Sequence, residues 1–80
     1  MDPDATLRDL LDSLSRLDWD RVDELQDALL TWMERRGFPP MTIGHKDLGV
    51  EWHRAVATFI CHAAASKVRD ARIRRSRKQR

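Results

Sequence analysis

Four side chains have the chemistry to bind a soft metal ion: His45, His53, Cys61 and His62. Zinc sites draw their ligands as closely spaced pairs, because several donors must converge on one ion at about 2.0–2.3 Å. That spacing is missing here. His53 and His62 are nine residues apart, about 900° of helical rotation, which puts them on opposite sides of one helix. Cys61 and His62 are adjacent and diverge by about 100°. The pattern predicts no metal and no cofactor, with the histidines on the surface or its boundary and Cys61 a half-buried thiol.

Nucleophilic catalysis has equally little to work with. Cys61 falls inside a helical segment rather than at a helix N-terminus, where the dipole would stabilise a thiolate. The glycines, Gly37, Gly44 and Gly49, are too scattered to cradle a phosphate, and neither a GxSxG nor an HExxH string occurs. The chain therefore reads as non-catalytic. The enzymatic alternative is an oligomer whose subunits share a site.

Charge is the more informative chemistry. Residues 1–36 hold ten acids against five bases, whereas residues 69–80 hold Asp70 against seven bases. Asp20, Glu24, Asp27 and Glu34 fall within about 80° of one helical face, with Asp23 beside them. Such a face holds a cation or a basic partner, or simply faces water. The seven C-terminal cations are Arg69, Arg72, Arg74, Arg75, Arg77, Lys78 and Arg80. They suit phosphate contact without sequence reading, since no aromatic residue stands among them to stack on bases. They could equally fold back onto acidic surface, the chain's own or a neighbour's. Ile73 is their one large apolar companion, too little for insertion into a membrane surface.

Three helical segments must position these groups. Leu7, Leu10, Leu11, Leu14 and Leu17 cover an arc of about 120°, which predicts an amphipathic helix over residues 4–16 with Pro3 in its first turn. Asp18 is a good N-cap for a second helix. Leu17 and Val22 fit a hydrophobic staple at its start. Trp19, Val22, Leu25, Leu29, Leu30, Trp32 and Met33 share one face of it. Gly37 reads as its left-handed terminator, with Phe38 packing back on Met33 and Pro39-Pro40 preventing continuation. Phe38, Met41 and Ile43 make the following connection apolar, so it should lie on the core. A third helix opens near Asp47 and reaches at least Val68, with an apolar arc of about 240°, wider than packing on one side requires.

The expected fold is all-α, a three-helix domain over residues 1–68 with a basic tail, 69–80, that is partly helical or disordered. One cysteine precludes an internal disulfide. No apolar run approaches membrane-spanning length. The acidic start, Met1-Asp2-Pro3-Asp4, is unlike a secretory signal, so a cytoplasmic location is expected. The leading functional expectation is a small non-catalytic interaction protein. On this reading Trp52, Phe59 and Ala63 pack inward, while Ala57, Cys61, Ala64 and Val68 form a bare strip that pairs with a second copy. The alternative is a nucleic-acid accessory protein contacting phosphates through the tail.

Overall fold

The computed structural model describes residues 1–78, apart from the Lys78 side chain; Arg80 lies outside the described residues. Over the described residues the fold is all-α, with three helices, α1 (Pro3–Ser15), α2 (Trp19–Glu34) and α3 (Val50–Lys78), and a 3-10 turn (Lys46–Leu48) before the last.

Local chemistry sets the ends of the first two helices. Asp2 caps α1, its Oδ1 accepting from the Ala5 backbone N–H at 3.2 Å, and Pro3 supplies a first residue that needs no hydrogen-bond acceptor. Leu7 and Leu10 are buried and Leu14 is half-buried. Leu11 and Leu17 remain exposed, because α1 packs on α2 along a stripe narrower than its leucine arc. The helix closes as a Schellman motif: Leu17 N–H bonds to Leu14 C=O at 3.2 Å and Asp18 N–H to Ser13 C=O at 3.0 Å. Leu17 takes the left-handed position with φ 58°. Asp18 also caps α2, so the two helices share one tight junction. Leu17 is 65 % exposed and lines a shallow depression beside Trp19, so the expected staple over Val22 does not form.

The end of α2 differs from the expectation by one residue. Arg36, not Gly37, is left-handed, with φ 69°. Arg36 N–H bonds to Met33 C=O and Gly37 N–H to Trp32 C=O, at 3.1 and 3.0 Å. Glycine stands at 37 for a steric reason: a Cβ there would lie 2.3 Å from the Trp32 indole. That indole donates to the Phe38 carbonyl at 2.9 Å. Phe38 meets Trp32 edge to face at 6.0 Å rather than packing on Met33.

The core joins Leu7 and Leu10 of α1, Val22, Leu25, Leu29 and Met33 of α2, and Ala57, Cys61, Ala64 and Val68 of α3. Here the expected faces of α3 are reversed. The strip assigned to self-association, Ala57, Cys61, Ala64 and Val68, is 0–2 % exposed. Trp52 and Phe59, expected inside, are 46 % and 73 % exposed, and Ala63 is exposed too. Complementary size accounts for the reversal: α2 supplies the bulky residues of this core, and the small seam of α3 lets the two helices approach closely. Large aromatics on that seam would hold them apart.

Candidate interaction surface

The connection from Phe38 to Gly49 is fastened to α3 by side chains whose role the sequence pattern did not reveal. His53 is 3 % exposed. Its Nδ1 accepts from the Thr42 backbone N–H at 3.1 Å and lies 2.8 Å from Thr42 Oγ1, while Nε2 lies 3.2 Å from the His45 carbonyl. A backbone N–H can only donate and a carbonyl can only accept. The bonds therefore select the neutral imidazole with its proton on Nε2. Trp52 Nε1–H donates to the Ile43 carbonyl at 2.8 Å, and Asp4 of α1 accepts from Met41 N–H at 2.8 Å. Arg54 braces the other flank, its Nη1 donating to the Met33 and Gly37 carbonyls at 3.1 and 3.0 Å. A cation there suits the negative end of the α2 dipole. Its Nε lies 3.5 Å from Glu51 Oε1, an ion-pair contact without hydrogen-bond geometry. One signal was available in the sequence: His53 is in phase with Ala57, Cys61, Ala64 and Val68, a polar residue on an otherwise apolar seam.

This scaffold presents an apolar surface to solvent. Phe59 and Ile43 are each 73 % exposed and Phe38 66 %. Met41, Leu48, Val50 and Trp52 are also exposed. Trp52, Val56, Phe59 and Ala63 recur at i, i+4, i+7 and i+11, one stripe along the outer side of α3. Scattered exposed apolar residues are ordinary; here two aromatics, Trp52 and Phe59, stand exposed on one stripe.

The remaining sequence-selected groups lie apart. Cys61 is buried and free, and burial pushes its thiol up to about 11 from the usual 9.0. Among the described residues, no three His, Cys, Asp or Glu side chains are grouped to hold a metal ion. Glu34, Arg36, Arg54, Thr58 and His62 border an open depression of about 250 Å³. Both Glu34 and His62 are exposed there, and the described Arg54 Nη1 bonds go to backbone carbonyls.

Residues 69–78 continue α3 as helix. Arg72 folds back on α2, its Nη1 reaching Asp23 Oδ2 at 3.3 Å and its Nη2 reaching Asp20 Oδ1 at 3.4 Å. Part of the basic segment thus engages the acidic face of its own chain. Arg69 donates to Ser66 at 3.1 Å, and Arg69, Arg74, Arg75 and Arg77 are exposed. No helix among the described residues is long and apolar enough to cross a membrane. Comparison with protein-family models, curated proteins and solved structures finds no match to this chain.

Proposed function

We propose that this protein is a small non-catalytic interaction domain that pairs with a second copy of itself through the outer stripe of α3 and the connection before it. The observation that carries this reading is the exposure of Phe59, Trp52 and Ile43 on one fastened surface. The core supports it: a domain of this size retains only about 3–5 kcal/mol, and covering the stripe would add to that. A two-fold axis is the simplest closed solution. With the axis near Phe59 and the helices antiparallel, Glu51 at one end of the stripe meets Arg69 of the other copy. Those two residues are eighteen positions apart, which is about five helical turns and the same angular position. Opposite charges thus fall on one flank.

The test is sedimentation equilibrium over a concentration series, comparing the wild-type chain with Phe59→Glu. The wild type should be dimeric at tens of micromolar, and the variant monomeric with unchanged helicity. A wild-type monomer at high micromolar concentration overturns the reading.

A further inference from the structure

The end of α3 leaves the bundle. Val68 is the last fully buried residue of α3, Ala71 is half-buried, Arg72 makes the last described hydrogen bonds to α2, and Arg74 still borders the depression beside Leu17 and Trp19. Residues 73–77 are all exposed. At 1.5 Å per residue, Ile73–Lys78 extends about 9 Å beyond the Arg72 clasp. The molecule is correspondingly long, 50 × 23 × 17 Å.

The arginines beyond the clasp do not form one narrow stripe: Arg77, Arg74 and Arg75 spread over about 160° of the helix. Taking Arg69 as origin, Arg77, Arg74 and Arg75 fall at about 80°, 140° and 240°. Among the described residues no carboxylate pairs with Arg74, Arg75 or Arg77, the ion pairs of this region belonging to Arg72. A flat partner, whether an anionic membrane or an acidic protein face, would meet the cations of one side and leave the rest in water. A groove walled by phosphates on both sides meets them all. The major groove of duplex DNA is about 12 Å wide and 8.5 Å deep and admits one α-helix. The deep, narrow major groove of A-form RNA does not. Every described cation here is arginine, whose planar fork matches phosphate oxygens in pairs.

We propose that the projecting C-terminal end of α3 binds the major groove of duplex DNA through phosphate contacts by Arg74, Arg75 and Arg77. Arg72 makes no phosphate contact: it pairs with Asp20 and Asp23, partly neutralising the carboxylates nearest the DNA. Asp70 stands on the same helix among these arginines and weakens the contact. The contacts proposed are to phosphate oxygens, which carry no base identity, so binding is independent of sequence. The interaction does not depend on pairing through Phe59, since Arg74, Arg75 and Arg77 come from one chain and lie beyond the paired stripe.

The test is fluorescence anisotropy of a labelled short duplex of mixed sequence, titrated with the full-length protein at ~50 and ~200 mM salt. Three phosphate contacts predict a slope of log K against log salt of about −2.7, a loss of about fortyfold over that range. Arg74→Gln/Arg75→Gln/Arg77→Gln should weaken binding more than tenfold at the lower salt, with helicity unchanged by circular dichroism. Phe59→Glu should still bind the duplex. Asp20→Asn/Asp23→Asn should bind it more tightly, having lost two negative charges. Single-stranded DNA, double-stranded RNA and phosphatidylserine vesicles should all bind more weakly than the duplex. Equal or tighter binding to any of those three, unchanged binding by the triple variant, or no duplex binding at the lower salt overturns the proposal.

Discussion

The two sides of α3 are both apolar, yet they are built from different residues. The inner side carries Ala57, Cys61, Ala64 and Val68, all buried; the outer side carries Trp52 and Phe59, 46 % and 73 % exposed. Transfer free energy alone would choose the opposite arrangement, since burying an aromatic ring releases more apolar surface than burying an alanine. The difference teaches that a helix inside a small bundle is oriented by the space its neighbour leaves. Leu25, Leu29 and Met33 of α2 already fill the core, and only a seam of small residues accommodates them.

Neighbouring alanines give the sharpest way to break this contrast. Ala64→Arg places an unpaired charge at a position 2 % exposed. The expected cost, about 3–5 kcal/mol, equals the whole stability of a domain this size. The variant should be unfolded by circular dichroism. Ala63→Arg, one residue away on the outer side, should change monomer stability by no more than about 0.5 kcal/mol while abolishing pairing. Equal damage from both would erase the distinction between the sides.

Cys61 makes the inner side sensitive to alkaline pH. Its thiol titrates near 11 in the folded chain against 9.0 when solvated, so above pH 9 the unfolded state loses its proton first. Stability is fully retained below pH 9 and falls as pH rises toward 11, by about 2–3 kcal/mol from this group. Denaturant midpoints of wild type and Cys61→Ala across that window should diverge by this amount, with only the wild type showing the thiol-dependent fall. Parallel curves would place Cys61 in contact with solvent.

The end of α2 separates space from backbone preference on a smaller scale. Gly37→Ala drives a methyl into the Trp32 indole and should destabilise by about 1–2 kcal/mol. Arg36→Gly, at the position with φ 69°, should stabilise by about 0.5 kcal/mol, relief of left-handed strain slightly outweighing the added freedom of the unfolded chain. Chemical denaturation measures both. If Gly37→Ala proved the neutral change, the glycine would be there for its backbone after all.

These positions also mark what could be read in the sequence. Pro3 and Asp18 announced where α1 and α2 begin, because helix starts are set by backbone angles and bonds within a few residues. The excess width of the apolar arc on α3 was legible from periodicity. Which half of that arc faces α2 was not, because periodicity carries no information about a neighbour's shape. The left-handed position at Arg36 was hidden for a related reason: Gly37 is the stronger backbone signal, but its requirement comes from the indole of Trp32 folding over it. His53 and Arg54 became intelligible only once the fold brought Thr42, His45, Met33 and Gly37 to them. Their partners lie between eight and twenty-one residues away in the chain, beyond any local pattern.

Thiol labelling of Ala63→Cys at two protein concentrations tests the assignment of both sides of α3 together. The introduced thiol should label rapidly in dilute solution and slowly in concentrated solution, where pairing covers it, while the native Cys61 stays unreactive at both. A rate at the introduced thiol that does not change with concentration would contradict pairing through this side, and Cys61 labelling as fast as the introduced thiol would contradict the placement of the inner seam.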